Sequence, residues 1–149
     1  MQAIELRADD GAGIAARLFS ATAAPHGTVL IASAMGVKQD FYADFAAWLA
    51  RQGYTALTFD YRGMGASRPR SMSHSLRGFD ADLFDWASDV DTAIEHLLQA
   101  APGAPLYIVG HSLGAQLPGM LKHRDRIGGL VSVAAGSGYW RDNAPPLKR

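Results

Sequence analysis

Cysteine is absent from the 149 residues of the chain. This absence excludes a disulfide framework, a thiolate metal site and a cysteine nucleophile. The absence of cysteine fits a reducing compartment, so we expect a cytoplasmic protein. We also expect no signal peptide, because the first ten residues hold no long apolar run. We also expect that the protein uses no metal and no cofactor.

The sequence also lacks an excess of charge of either sign, since 14 basic residues balance 14 acidic ones. We therefore expect no nucleic-acid partner. No run approaches the roughly 18 consecutive apolar residues that a membrane span needs. What is present, 48% apolar and 19% charged residues, is typical of a single globular domain that buries a real core.

The order of apolar patterns predicts an α/β fold with a mostly parallel sheet. Two short β-type runs, 2–7 and 13–19, flank the turn signal Asp9-Asp10-Gly11 and predict an antiparallel hairpin. Continuous apolar runs predict buried strands at 28–32, 54–59, 106–109 and 129–135. Helical spacing predicts helices at 40–52, 83–99 and from 113 to about 123.

The first two predicted helices each carry an apolar stripe that we expect to face the sheet. In the first helix this stripe consists of Phe41, Phe45, Trp48 and Leu49. In the second helix it begins at Leu83 and runs to Leu98.

Loops at the carboxyl ends of parallel strands are the places where chemistry is expected. One of them, Gly110-His111-Ser112-Leu113-Gly114, follows a buried strand and precedes an apolar helix. On such a turn a serine is held in a strained backbone, and the helix N-terminus points at developing negative charge. We interpret Ser112 as a catalytic nucleophile, with a merely structural Ser-Gly turn as the alternative. Neighbouring side chains diverge on so tight a turn, which favours a packed or hydrogen-bonded role for His111 over a catalytic one.

Four segments together resemble one family of enzymes. They are Gly-His-Ser-Leu-Gly at 110–114, Asp-Tyr-Arg-Gly-Met-Gly-Ala-Ser at 60–67, Ala-Met-Gly at 34–36 and Ala-Ala-Gly-Ser-Gly-Tyr-Trp at 134–140. The chain resembles the N-terminal portion of α/β-hydrolase-fold serine hydrolases, near the serine-aminopeptidase-like and monoacylglycerol-lipase-like branches. The resemblance implies a partial α/β-hydrolase domain over 1–140, a tail over 141–149, and hydrolysis of an ester or amide bond in a small-molecule substrate.

The resemblance also implies an oxyanion hole made of two backbone N–H groups, those of Leu113 and Met35. Many members carry His-Gly where this chain has Ser33-Ala34. The Met35 side chain is expected to be a buried hydrophobe, which is compatible with a backbone role. In the family the block that contains Asp60 and Arg62 mostly supports the neighbouring loop, so we expect structural rather than catalytic roles for both.

A serine nucleophile needs a base and an orienting acid, and in this family both follow the serine in the chain. His123 is the only downstream histidine, but it falls in the helix leaving the turn and is expected to face away. Asp125 lies at the wrong end of that helix. Asp142 follows the last predicted strand, where some members place an acid. Neither partner can therefore be assigned.

The segment after Trp140 has no room for another crossover and parallel strand. We therefore expect a piece of a longer hydrolase that has little or no activity alone, or else a short member without a triad. A non-catalytic binding or scaffold domain is the alternative function. A dinucleotide-binding fold is disfavoured because no Gly-x-Gly-x-x-Gly follows the first predicted strand. The exposed edge of the strand around 130–133 is expected to favour self-association. Tyr139 and Trp140 either pack in the core or begin a wall that faces the substrate.

Overall fold

The computed structural model describes residues 1–72, 75, 77–137, 139 and 141. Within these residues the strands are β1 Gln2–Arg7, β2 Gly13–Phe19, β3 Gly27–Ala32, β4 Tyr54–Phe59, β5 Leu106–His111 and β6 Ile127–Val133. The α-helices are α1 Ala43–Arg51, α2 Leu83–Ala100 and α3 Leu113–Gln116. None of these helices combines the length and the apolar character needed to cross a bilayer.

All the strands belong to one sheet with the order β1-β2-β4-β3-β5-β6. β1 and β2 pair antiparallel from Gln2↔Leu18 to Arg7↔Gly13, which confirms the predicted hairpin. β2 is also antiparallel to β4, whereas the pairs β4–β3, β3–β5 and β5–β6 are parallel. The predicted α/β fold with a mostly parallel sheet is therefore confirmed. The carboxyl ends of β3, β4 and β5 lie at one edge of this sheet.

The larger part of the core lies between α2 and one face of the sheet. Asp82 caps α2 by accepting hydrogen bonds from the N–H groups of Phe84 and Asp85, and the Asp85 side chain completes a capping box. Val90, Ile94 and Leu97 are fully buried against the sheet, where they join Leu30, Leu57 and Ile108 in one cluster. Leu83 was expected in this buried stripe, but it is 46% exposed because it lies in the first turn, ahead of the part of α2 that packs on the sheet.

The expected buried stripe of the first helix is mostly exposed. Phe41, Phe45 and Trp48 are 73%, 40% and 47% exposed, and Leu49 alone of the four is buried. The helix is preceded by a 3₁₀ turn, Gln39–Tyr42, and the face that meets the sheet begins at Tyr42, one residue after the start of the predicted stripe. Tyr42, Ala46 and Leu49 pack there instead.

Two of these exposed aromatics, Phe41 and Phe45, form part of one wall of an apolar groove of about 700 Å³. Its other wall is the face of the sheet made by β5 and β6. Side chains that line the groove include Phe45, Leu49, Tyr107, Val109, Val131 and Val133.

Two predicted element boundaries after Ser112 are wrong. The predicted helix to about residue 123 ends as α3 at Gln116, and the 3₁₀ turn Leu117–Met120 follows it. Pro118 has no N–H to extend an α-helical ladder, which explains the change. The last strand runs over Ile127–Val133 rather than 129–135, and Ala134, with φ of 49°, turns the chain out of the strand.

A cluster of buried charge joins the loop after β4 to α2. The Arg62 side chain is 9% exposed and that of Asp89 is wholly buried. Asp89 accepts hydrogen bonds of 2.8 Å from both Arg62 Nε and the Arg62 backbone N–H, and Asp10 and Asp85 also contact the guanidinium. Burial acts to lower the pKa of Arg62, but the hydrogen bonds to Asp89 and Asp10 outweigh it and raise that pKa above its usual value.

Replacing Asp89 is expected to destabilise the protein severely. Asp89→Asn leaves the buried Arg62 guanidinium without its main counter-charge, and breaking a buried pair costs about 3–5 kcal/mol. Asp9→Asn is the matched control, because Asp9 makes an exposed pair with Lys122. Such pairs contribute about 0–1 kcal/mol. Urea unfolding of both variants measures the difference, and equal losses of stability would contradict the importance given to Asp89.

The approach of α3 to β3 is closer than a side chain permits. A Cβ at Gly114 would lie 2.1 Å from the carbonyl oxygen of Ala32, the last residue of β3. We expect Gly114→Ala to lower the free energy of unfolding by about 1–3 kcal/mol through overpacking. A Cβ at Gly119 would meet nothing within 4 Å, so Gly119→Ala should change stability by less than about 1 kcal/mol. Thermal unfolding of the two variants checks the contrast, and an unaffected Gly114→Ala variant would count against the close packing.

Candidate active site

The turn between β5 and α3 is centred on Ser112. Ser112 has φ of 51° and ψ of −110°, a conformation that non-glycine residues rarely adopt. The sheet and the helix hold it there. Its N–H donates to the carbonyl of Val133 at 2.9 Å, and its own carbonyl accepts from the N–H of Ala115 at 3.0 Å. Backbone strain of this kind persists only where the surrounding structure enforces it, and such positions cluster at active sites.

Glycine on the strand side of Ser112 lets this turn be tight. A Cβ at Gly110 would lie 2.6 Å from the backbone N of Ala115, so any other residue would force the strand and the helix apart. Together with Gly114 on the helix side, Gly110 explains why the pattern places a glycine two residues to either side of Ser112.

The loop after β3 lies beside this turn. β3 and β5 are parallel neighbours, and Ala32 pairs in register with Gly110. Ser33 is buried, and its hydroxyl donates to the carbonyl of Phe59 at 3.3 Å. The N–H of Val37 donates to the carbonyl of Ala34 at 3.1 Å and closes the loop into a turn. Residues 33–36 are therefore held at the same sheet edge as Ser112.

Two backbone N–H groups at this edge have no hydrogen-bond partner in a helix or strand. Leu113 is the first residue of α3, so its N–H has no acceptor within the helix. The N–H of Met35 makes no hydrogen bond with any residue in the described ranges. The expectation that the Met35 side chain is a buried hydrophobe is wrong. It is 57% exposed, because Met35 lies at the tip of the turn.

Tyr42, which sequence reasoning missed, connects the loop to the turn. Its hydroxyl accepts a 3.1 Å hydrogen bond from the N–H of Ala34 and lies 2.9 Å from Nδ1 of His111. Burial raises the pKa of Tyr42, and the N–H of Ala34 partly opposes that rise. His111 is hydrogen-bonded, as expected. In the sequence Tyr42 is one more aromatic beside the Phe41 stripe, so no local signal reveals its role.

Asp60 ties the loops after β3 and β4 together. One carboxylate oxygen accepts from the N–H of Gln39 at 2.8 Å, and the other accepts from Gln39 Nε2 at 3.1 Å and from the N–H of Ala66 at 2.9 Å. Asp60 is 3% exposed. Its oxygens serve the backbone and Gln39, which agrees with the structural role expected for this block. Gln39 also accepts from the hydroxyl of Thr58, and the sequence offered no sign of this role.

The downstream candidates for base and acid lie away from Ser112. His123 Nδ1 is 2.9 Å from Asp91 Oδ1, and its Nε2 is 3.6 Å from Glu95 Oε1, so its ring is bound to α2. His123 and Asp125 both precede β6, at the amino ends of the parallel strands, whereas Ser112 follows a strand at the carboxyl edge. The structure therefore does not bring either residue to Ser112.

Several predicted residues lie at or beyond the end of the described part. Asp142 and Trp140 fall outside the described residues. Tyr139 is described and is 51% exposed. In the ranges that the structure describes, no group of three or more histidine or acidic side chains could hold a metal ion.

Solved structures share this fold. One is a thermostable carboxyl esterase from Bacillus coagulans, with a TM-score of 0.75 and 19% identity, covering 88% of this chain and 43% of that one. A monoglyceride lipase from Saccharomyces cerevisiae has a TM-score of 0.70 and 25% identity, covering 89% and 44%. An α/β serine hydrolase without a lid from Xanthomonas campestris has a TM-score of 0.72 and 18% identity, and the match covers 93% of this chain and 63% of that one. This chain thus spans about half the length of these proteins.

No curated protein matches the chain in sequence. The family model described as serine aminopeptidase, S33, matches residues 23–149. This match includes β3 to β6, the loop at 33–36 and the turn at Ser112. The chain therefore belongs to the serine aminopeptidase S33 family of α/β hydrolases.

Proposed function

We propose that the protein is a serine hydrolase that cleaves an ester or amide bond with Ser112 as the nucleophile. The observation that carries the proposal is the strained turn at Ser112, which lies at the carboxyl edge of the sheet together with two backbone N–H groups that have no hydrogen-bond partner among the described residues. The backbone N–H groups of Leu113 and Met35 are the proposed oxyanion donors. A small-molecule substrate fits the proposal, and the esterase and lipase among the structural relatives favour an ester.

The proposed chemistry is acyl transfer. The Ser112 oxygen attacks the carbonyl carbon while a base removes the hydroxyl proton, and the carbonyl oxygen takes up the negative charge. Donors held in place before the reaction stabilise that charge without reorganisation, and the loss of one such donor lowers kcat by about 10²–10³. Met35 can act through its backbone, because its exposed side chain does not occupy the site.

The base and the acid are not among the residues that the structure brings to Ser112. His111 is bound to Tyr42, and His123 is bound to Asp91. We propose that the 149-residue chain alone turns over substrate at a very low rate, which comes from binding and the oxyanion donors, as in triad knockouts of other serine hydrolases. The cysteine-free composition supports the cytoplasm as the proposed location.

A fluorophosphonate probe tests the nucleophile. We expect slow covalent labelling of the chain, located at Ser112 by peptide mass spectrometry and absent from Ser112→Ala. Ser88→Ala, which removes a hydroxyl from α2, is the control and should label like the wild type. A chain that remains unlabelled after long incubation would instead favour the non-catalytic binding or scaffold domain.

Turnover tests the missing base separately. Because none of the described residues places a general base at Ser112, we expect hydrolysis of p-nitrophenyl acetate by the chain to stay close to the uncatalysed rate, with little difference between wild type and Ser112→Ala. Fast turnover that disappears in Ser112→Ala would support the nucleophile and contradict the low activity proposed for this chain.

We also propose that the chain associates with itself through β6. β6 is one of the two edge strands of the described sheet, and Leu130, Val131 and Val133 are 43%, 58% and 44% exposed. An exposed apolar edge strand is a template for pairing with another chain.

Light scattering after size-exclusion chromatography tests this association. We expect the mass of the wild type to rise with concentration, and the double substitution Val131→Lys and Val133→Lys to keep the chain monomeric. Phe84→Lys, at a residue 72% exposed on α2, is the control and should not prevent association. A wild type that stays monomeric at the highest concentrations would overturn the proposal.

A further inference from the structure

We propose that Tyr42 is a positioning residue that holds the oxyanion loop, residues 33–36, in place relative to the nucleophile. The inference rests on the proposed function, because it gives Ser112 and Met35 the roles assigned above. It adds a residue that acts through its neighbours in the chain and sets the position of one half of the site relative to the other.

The geometry of the Tyr42 hydroxyl carries the proposal. The hydroxyl oxygen accepts from the N–H of Ala34 at 3.1 Å and lies 2.9 Å from His111 Nδ1. Ala34 directly precedes Met35, and His111 directly precedes Ser112. A single hydroxyl group therefore joins the residues next to the proposed oxyanion donor and the proposed nucleophile.

The oxygen of Tyr42 accepts from the N–H of Ala34, and its own proton can be donated to His111. In the proposed bridge Nδ1 of His111 accepts that proton, which places the ring N–H on Nε2. This tautomer is specific to the bridge and can be observed directly.

The rest of Tyr42 is anchored well enough to set a position. Tyr42 is 8% exposed and lies at the junction of the 3₁₀ turn and α1. Its ring packs in the same cluster as Val29 and Ile31 of β3, and it meets the His111 ring edge-on at a centroid distance of 6.1 Å. A phenylalanine ring could make the same packing contacts, whereas both hydrogen bonds of the bridge need the hydroxyl.

Tyr42→Phe removes the hydroxyl and keeps the ring. We expect hydrogen exchange of the Ala34 amide to accelerate about 2- to 10-fold, which corresponds to the loss of one hydrogen bond. We expect the imidazole ¹⁵N spectrum to show Nδ1 of His111 as an acceptor in the wild type and to change in the variant. Labelling of Ser112 by the fluorophosphonate should slow by about 10-fold, because the oxyanion donor is no longer held in place.

Two further sets of variants serve as controls. Tyr107→Phe removes another tyrosine hydroxyl at the groove and should leave all three readouts unchanged. His111→Asn keeps a hydrogen-bond acceptor close to the position of Nδ1 and should retain most of the labelling rate. His111→Leu has no acceptor and should behave like Tyr42→Phe, and it also provides a test if Tyr42→Phe does not fold.

The possible outcomes separate this inference from the proposed function. If the wild type is labelled at Ser112 and Tyr42→Phe is labelled at the same rate, the positioning role is overturned while the nucleophile stands. An unchanged Ala34 exchange rate in Tyr42→Phe would overturn the bridge itself. A wild type that is never labelled overturns the proposed nucleophile, and the positioning role with it, even where the exchange and tautomer data show the bridge.

Discussion

The close approach of α3 to the end of β3 is the constraint on which the rest of the site depends. Gly114 lies against the carbonyl of Ala32 with no space for a side chain, and Gly110 leaves room for the backbone of Ala115. The chain between them must turn within a few residues, which forces Ser112 to a positive φ. The same contact brings the loop after β3 beside the turn. The close packing at Gly110 and Gly114 thus explains both the strained backbone of Ser112 and the position of the loop after β3 beside it.

The charged and polar side chains around this turn serve mainly to hold the loops. Asp60 fastens the loops after β3 and β4, Arg62 and Asp89 fasten the second of these loops to α2, and Asp91 fastens the turn at His123. These groups have structural roles, and His111 is hydrogen-bonded to Tyr42. The described residues therefore hold the proposed nucleophile and the proposed oxyanion donors in a rigid setting, and none of them places a base or an acid beside Ser112.

The two faces of the sheet differ in how they are covered. α2 covers one face with fully buried side chains, whereas α1 covers only part of the other, beside β3 and β4. The apolar groove next to α1 exposes aromatic and aliphatic side chains from α1, β5 and β6. His111 lines this groove and also bonds Tyr42, so the groove borders the proposed site. A ligand in the groove would contact Tyr42 and His111, the two residues of the proposed bridge.

The sequence by itself determined the hairpin, the alternation of strands and helices, and the turn at Ser112, because hydrophobic period and glycine spacing are local properties. It also indicated the structural part played by Asp60, through the resemblance of its block to the family. Only the tertiary structure decided which face of the first helix is buried, since the sheet contacts Tyr42, Ala46 and Leu49 rather than the predicted stripe. The early end of α3 has a local cause in Pro118, which the helical spacing alone did not take into account. The tertiary structure alone revealed Tyr42, since a hydroxyl shared by Ala34 and His111 joins positions 8 and 69 residues away, and no local pattern encodes such a contact.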